Sequence, residues 1–213
     1  MHRVLRAATH PALPVAGPDQ SGATAGTRAT AGAAALFERV REDRSRAILD
    51  LGPAAGSSLR VYGRFARWVR FADALAEATS PQIWRPMLEA LPPNPERPYD
   101  VVVAWDILDR LPPKARPALV ERLTALSGPE ARLFVVTASP DHPPLELLHF
   151  ALETVDRMRY EHTGLPHPRH PPLLPAEVNR LLMPFEVTRA FSTQVGLREY
   201  VAVRRGDGAV GSA

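Results

Sequence analysis

Cysteine is absent from this chain of 213 residues. That absence excludes a disulfide scaffold, a zinc–thiolate site, an iron–sulfur cluster and a cysteine nucleophile. No apolar run approaches the ~20 residues that a membrane-spanning helix needs. The first residues also lack the continuous apolar region of a signal peptide. We therefore expect a cytoplasmic protein with no membrane partner.

Lysine is almost absent as well, since Lys114 is the only one. Lys and Arg together number 26 against 23 Asp and Glu, so the net charge is only +3. The arginines are spread along the chain among acidic residues, whereas a nucleic-acid-binding protein more often concentrates them in one stripe. Nucleic acid is therefore not the expected partner. A hydrophobic content of 45% indicates a folded globular protein.

The two ends of the chain differ in composition from its middle. Residues 1–33 are rich in Ala, Gly, Thr and Pro and show no periodicity, which predicts a flexible N-terminal arm. Residues 206–213 are small and predict a flexible tail. The sequence between them, 34–205, alternates apolar runs with helical patterns and is the predicted domain.

Four short apolar runs in the domain predict buried strands. They lie near 46–51, 68–72, 100–105 and 132–138. Two alternating segments, 185–192 and 197–204, predict a closing antiparallel hairpin. Strands that alternate with helices in this way predict an α/β fold, with a mostly parallel sheet and helices on both faces.

Two longer segments are predicted to contain no strand. Residues 74–98 carry six prolines, which favour helix or coil. Residues 145–161 have the pattern of an amphipathic helix, and 162–175 form a loop rich in Pro and His. We interpret 140–175 as a lid or substrate segment. Its histidines lack the spacing of a metal site, so no metal is expected, and a general base among them remains an alternative to a lid without one.

Small and acidic residues follow the predicted parallel strands. The first strand is followed by Asp50-Leu51-Gly52-Pro53-Ala54-Ala55-Gly56, and Asp73 follows the second, 23 residues after Asp50. Trp105 and Asp106 end the third. Open parallel sheets bind ligands at the carboxyl ends of their strands, and an acid about 20 residues beyond the first turn can accept hydrogen bonds from ribose. Two of these residues have an equally good structural role in place of ligand contact. Asp50 could accept hydrogen bonds from local backbone amides, and Trp105 could pack in the core.

These residues, in this order, resemble a divergent member of the class I S-adenosylmethionine (SAM)-dependent methyltransferases. The pattern D-x-G-x-G-x-G of that family falls on Asp50, Gly52, Ala54 and Gly56. Its ribose-binding acid matches Asp73, and its fourth-strand pattern matches YDVVVAWDILDRLPP (99–113). The resemblance covers about residues 34–205.

The resemblance implies a Rossmann-like methyltransferase fold, SAM as cofactor, and methyl transfer to a small or medium-sized N, O or C nucleophile. Asp106 is the catalytic candidate. The cofactor-binding candidates are Asp50, Gly52, Ala54, Gly56, Asp73 and Trp105. The acceptor is expected between Asp106 and the segment 140–175.

Two departures from the family pattern motivate an alternative function. Ala54 adds a methyl group where a glycine is usual, which is tolerated if its φ stays negative, and Pro53 removes a backbone donor. Residues 74–98 leave little room for the family's third strand, which carries part of the adenine pocket. The alternative is a catalytically degenerate methyltransferase fold that acts as a binding or partner subunit.

Overall fold

The chain is described by a computed structural model over most of its length. The described residues are 25–74, 84–140, 145–168, 170–193 and 196–206. Residues 1–24 of the predicted arm and 207–213 of the predicted tail lie outside them.

Six strands form a large sheet. They are β2 (Arg46–Asp50), β3 (Ala66–Phe71), β4 (Tyr99–Val103), β5 (Ser127–Ala138), β8 (Phe185–Ser192) and β9 (Leu197–Arg204). Their order is β3–β2–β4–β5–β9–β8, with β2 to β5 parallel and β9 antiparallel to both of its neighbours. The predicted mostly parallel sheet and its closing hairpin are confirmed.

Helices cover both faces of the large sheet. They are α1 (Ala31–Phe37), α2 (Gly56–Tyr62), α3 (Trp84–Ala90), α4 (Ile107–Arg110), α5 (Arg116–Leu126) and α6 (Pro175–Leu181), with a 3-10 turn at Pro113–Ala115. On β9, Glu199 accepts a hydrogen bond from Gly32 N in α1, whereas Arg204 donates to Thr124 O in α5. Because successive strand residues point to opposite faces, residues 199 and 204 place α1 and α5 on opposite sides.

Three further strands form a small antiparallel sheet. They are β1 (Ala25–Ala29), β6 (Glu146–Thr154) and β7 (Arg157–Pro166), in the order β1–β7–β6. This sheet packs on α2, where Leu152 N donates to Ser58 Oγ at 2.9 Å. It therefore covers the start of the segment that follows β2.

The small sheet corrects two predictions. The helix predicted over 145–161 is wrong, because these residues form β6 and the first half of β7. Leu148 and Leu152 fit both a helical and a strand period, and pairing with β7, which itself pairs with β1, decides for the strand. The prediction of a flexible arm is wrong for residues 25–33, which form β1 and the start of α1.

The segment predicted to lack a strand behaves as expected where it is described. Residues 84–98 form α3 and coil, and residues 75–83 lie outside the described part of the chain. Within that part, β3 pairs only with β2 and ends one side of the large sheet.

Candidate functional site

Backbone hydrogen bonds bring three strand ends together at one edge of the large sheet. Leu51 N donates to Val103 O at 2.9 Å, which joins the ends of β2 and β4. Asp73 N donates to Gly52 O at 3.2 Å, which joins the loop after β2 to the end of β3. The candidate residues after these strands are therefore neighbours, as the parallel topology predicts.

Asp50 is the centre of a buried hydrogen-bond network. Its Oδ1 accepts from Gly52 N at 2.8 Å and from Trp105 Nε1 at 2.6 Å, and its Oδ2 accepts from the Tyr62 hydroxyl at 2.6 Å. Burial raises the pKa of Asp50 to about 6, although all three hydrogen bonds act to lower it. Of the two roles considered for Asp50, the structure shows the capping of a local amide.

Trp105 lies directly against Gly52. A Cβ atom on Gly52 would stand 2.9 Å from Trp105 Nε1, so only glycine fits beneath the indole. Trp105 is fully buried and has a φ of 49°, a conformation that side chains other than glycine rarely adopt. Its ring stacks on Phe150 of β6, with centroids 5.6 Å apart and planes 12° apart.

The later part of the loop after β2 and the residue Asp73 after β3 are exposed. Ala54, Gly56 and Asp73 are all accessible to solvent. A Cβ on Gly56 would meet only Arg60 Nη1, at 3.9 Å, so the space over Gly56 is open. Asp73 has a positive φ of 46°, whereas Ala54 is not among the described residues with positive φ, so its methyl group brings no backbone strain.

The two parts of the loop differ in how well they fit SAM. An exposed carboxylate suits the hydroxyl groups of a ribose, and open space over a glycine lets a ligand come close to the backbone, so Asp73 and Gly56 each fit the nucleoside part of the cofactor. At Gly52 the side-chain direction is filled by the buried Trp105 indole and the Asp50 carboxylate. The residues present therefore fit SAM at Asp73 and Gly56, whereas the side-chain direction of Gly52 faces the interior of the protein.

Asp106 is paired within a buried cluster. Arg110 Nε donates to Asp106 Oδ1 at 2.9 Å, Arg110 Nη2 donates to Asp106 Oδ2 at 3.0 Å, and Nη2 also donates to Leu148 O in β6. The interpretation of Asp109 and Arg110 as a solvated turn is wrong, because both are buried. They lie on α4 beneath the small sheet, which the sequence did not predict.

Asp109 is a second buried carboxyl group with a shifted pKa. Its Oδ2 accepts from Ala138 N at 2.5 Å, at the end of β5. Burial, and to a smaller extent the nearby Asp106 charge, raise the pKa of Asp109 to about 7. Asp109 therefore ties α4 to the end of β5.

Two partners in this site were missed by sequence reasoning. Tyr62 binds Asp50 from α2, and Phe150 stacks on Trp105 from β6. Tyr62 carried a usable signal, because a tyrosine on an apolar helix face needs a hydrogen-bond partner when it is buried. Phe150 carried none, since its segment was interpreted as a helix.

Two of the described histidines of the 140–175 segment contact different partners. His162 Nδ1 lies 3.2 Å from Glu146 Oε2, and His167 Nδ1 lies 2.9 Å from Pro168 O. Among the described residues, no group of three or more His, Cys, Asp or Glu is placed to hold a metal ion. The described part of the chain contains no helix long and apolar enough to cross a membrane.

Comparison with known proteins identifies one family. The family model described as "Methyltransferase domain" matches residues 25–183. No curated protein sequence matches the chain.

Several solved structures are similar to the chain. The 1,6-didemethyltoxoflavin-N1-methyltransferase of Burkholderia thailandensis, crystallised with 1,6-didemethyltoxoflavin and S-adenosylhomocysteine (SAH), is 18% identical, with a TM-score of 0.47 over 82% of this chain and 77% of that one. A SAM-dependent methyltransferase of Mesorhizobium loti is 14% identical, with a TM-score of 0.48 over 80% and 96%. The N-methyltransferase NodS of Bradyrhizobium japonicum is 10% identical, with a TM-score of 0.48 over 82% and 94%.

Proposed function

We propose, from the premise that this chain belongs to the methyltransferase-domain family, that it transfers a methyl group from SAM to a small or medium-sized acceptor. The observation that supports this proposal most directly is the exposed rim at the ends of β2 and β3. There Asp73 is tied to Gly52 by a backbone hydrogen bond, and the space over Gly56, later in the same loop as Gly52, is open. Family membership and this rim point to the same ligand.

The chain has three tasks in the proposed reaction. SAM supplies a methyl group already activated on a sulfonium, so the protein mainly needs to bind and align. We assign the binding of the ribose hydroxyls to the Asp73 carboxylate. The adjoining part of the cofactor is assigned to the backbone of the loop 52–56, which Asp50 holds in place. The acceptor nucleophile is assigned to the space between Asp106 and the segment 140–175.

We retain Asp106 as the proposed catalytic residue, and its carboxylate is paired with Arg110. Its two carboxylate oxygens each accept from Arg110, so the pair as a whole carries no net charge. A carboxylate held in this way can still accept a hydrogen bond from an acceptor hydroxyl or amine through its remaining lone pairs. We therefore assign to Asp106 the orientation of the nucleophile.

Calorimetric titration with SAM and SAH tests the assignment. Hydrogen bonds to a charged group contribute about 1.5–3 kcal/mol, so Asp73→Ala should weaken binding by that amount, roughly 10- to 150-fold. Asp156→Ala removes another exposed aspartate, in the turn of the small sheet, and should leave binding unchanged. Equal affinity of wild type and Asp73→Ala would remove the ribose assignment.

One observation favours a second candidate function, a binding or partner subunit that has lost catalysis. The side-chain direction of Gly52 is filled by the buried indole of Trp105, and Pro53 has no backbone donor. In that case the same titration gives no heat with SAM or SAH, and Ala54→Gly does not restore it. If the enzyme reading holds, Ala54→Gly leaves binding unchanged or modestly tighter.

A further inference from the structure

Arg60 reaches back over the open space at Gly56. It lies on α2, four residues after Gly56, and the side chains of a helix lean towards the preceding turn. Because Gly56 has no side chain, nothing of its own stands between the guanidinium and the later part of the loop. A Cβ built on Gly56 would have Arg60 Nη1, at 3.9 Å, as its one neighbour within 4 Å among the described residues. A positive charge therefore borders the open space at the edge of the proposed site.

This charge has no partner in the part of the chain that the structure describes. Arg60 is exposed, and there it donates no side-chain hydrogen bond and forms no ion pair. By contrast, Arg64, four residues later, binds Glu42 through Nε at 3.1 Å and Nη2 at 2.5 Å. The exposed Asp73 carboxylate is likewise unpaired among the described residues. Both charges are therefore available to a ligand.

The two available charges lie at opposite ends of one loop. Asp73 N donates to Gly52 O at 3.2 Å, at the start of the loop 52–56, and Arg60 stands over its last residue, Gly56. Five residues keep the ends of a loop within about 14 Å of each other, even when the chain is fully extended. The loop itself, Gly-Pro-Ala-Ala-Gly, has no charged side chain. One extended ligand can therefore contact a carboxylate at one end of the loop and a guanidinium at the other.

SAM carries the complementary groups in a single molecule. Its ribose hydroxyls donate hydrogen bonds, and the amino-acid chain attached beyond the ribose bears a carboxylate. We propose that Arg60 is a cofactor-binding residue whose guanidinium binds that carboxylate. The planar fork of an arginine offers two parallel N–H groups that match the two oxygens of a carboxylate. This inference rests on the proposed function, because it assumes that ribose binds at Asp73.

The exposure of Arg60 sets the expected size of the effect. An exposed ion pair contributes up to about fivefold in affinity, whereas a well-covered hydrogen bond to a charged group contributes about tenfold or more. Arg60 is exposed in the free protein and becomes partly covered when the cofactor binds. We therefore expect its contact with the carboxylate to contribute about 5- to 10-fold in affinity.

The experiment compares two ligands on matched variants of the full chain by calorimetric titration. Decarboxylated SAM keeps the nucleoside, the sulfonium and the amino group and lacks only the carboxylate. The wild type should bind SAM about 5- to 10-fold more tightly than decarboxylated SAM. Arg60→Met keeps an unbranched side chain without the charge, and it should lose this preference while it binds decarboxylated SAM within about twofold of wild type. Arg64→Met removes the same charge from the neighbouring turn and should keep the preference.

Two further measurements respond to the charge and its geometry. Arg60→Lys retains a point charge without the fork, so it should keep part of the preference for SAM. A rise in ionic strength from about 0.05 M to about 0.5 M screens exposed charges, so it should reduce the preference in the wild type. The same rise should leave the ratio of the two affinities unchanged in Arg60→Met.

The outcomes separate this inference from the proposed function. Equal binding of the two ligands by the wild type, or a preference that survives in Arg60→Met, overturns the role of Arg60 and leaves the methyltransferase proposal standing. An equal loss of both ligands in Arg60→Met also overturns it, because that result indicates a structural role. Tighter binding of 5′-AMP than of SAM by the wild type assigns the guanidinium to a phosphate instead and overturns the carboxylate assignment. Wild-type protein that binds neither SAM nor decarboxylated SAM overturns the proposed function, and the inference with it.

Discussion

The large sheet and the small sheet are held by different kinds of interaction. β2 and β4 are buried along almost their whole length, so apolar packing on both faces fixes them. The small sheet is half exposed. It contributes Phe150, Leu152 and Met158 to the apolar core, and polar groups of Ser58, Arg110 and Glu199 also tie it to the rest of the chain. The difference teaches that buried polar side chains add to apolar packing in placing the small sheet over the site, and the predictions below remove or titrate such groups.

Glu199→Ala should give the largest effect. The buried Glu199 carboxylate accepts from Gly32 N at 2.7 Å, from Thr30 Oγ1 at 3.0 Å and from Arg28 Nη2 at 3.4 Å, where β1 passes into α1. Removal of one partner from a buried charged cluster costs about 3–5 kcal/mol, and the free energy of unfolding, measured in denaturant, should fall by that amount.

Hydrogen exchange shows where this loss falls. In Glu199→Ala the amides of β1 and β7 should lose protection well before those of β4. Glu199→Gln keeps an acceptor of the same shape and should lose less. Equal loss of protection in both sheets would contradict the distinction between them.

A rise in pH should lower the free energy of unfolding, through two carboxyl groups at the large sheet. The folded-state pKa values of Asp50 and Asp109 are raised to about 6 and about 7, above the ~3.9 of an unfolded aspartate. Between these values the folded state binds more protons than the unfolded state, so this stability is complete below about pH 4 and is lost as the pH rises through 7.

The size of the pH effect can be measured by denaturant unfolding at two pH values. The free energy of unfolding should be roughly 2–4 kcal/mol lower at about pH 8 than at about pH 5. Asp109→Asn should remove most of that slope, whereas Asp156→Asn, at an exposed turn, should leave it in place. A slope unaffected by Asp109→Asn would show that its carboxyl group is not the one titrating.

Ser58→Ala should give the smallest of the three effects. Ser58 is buried on α2 and its Oγ accepts from Leu152 N in β6, so the variant leaves that N–H without its partner, at a cost of about 1–2 kcal/mol. The neighbouring Ser57 is a matched control, because its buried Oγ has no hydrogen-bond partner among the described residues. In thermal unfolding, the midpoint temperature of Ser58→Ala should be lower than that of Ser57→Ala. The reverse order would contradict the anchoring role.

The sequence predicted the large sheet well and the small sheet poorly, for one physical reason. A strand buried on both faces, such as Tyr99–Val103, is a continuous apolar run whatever surrounds it. The segment Glu146–Thr154 is half exposed, and its apolar residues fit both a helix and a strand. Its state is decided by β7 and β1, and β1 lies more than a hundred residues away in the chain.

The candidate site divides in the same way. Sequence reasoning placed Asp50, Gly52 and Asp73 at neighbouring strand ends, because parallel topology alone brings them together. It did not anticipate that Trp105 would lie on Gly52, because that contact depends on a side-chain direction and on Phe150 from the misread segment. Cofactor contacts of the individual residues stay predictions.

The position of β3 at the side of the large sheet has a consequence for the behaviour of the chain in solution. Among the described residues only β2 pairs with it, and an unpaired strand edge is a template on which another chain can add. Arg67 and Arg70 are both exposed on β3, and like charges brought opposite each other disfavour strand pairing. These two arginines therefore act against edge-to-edge aggregation. Arginines that are spread along the chain, and so do not indicate a nucleic-acid partner, here help to keep the protein from aggregating.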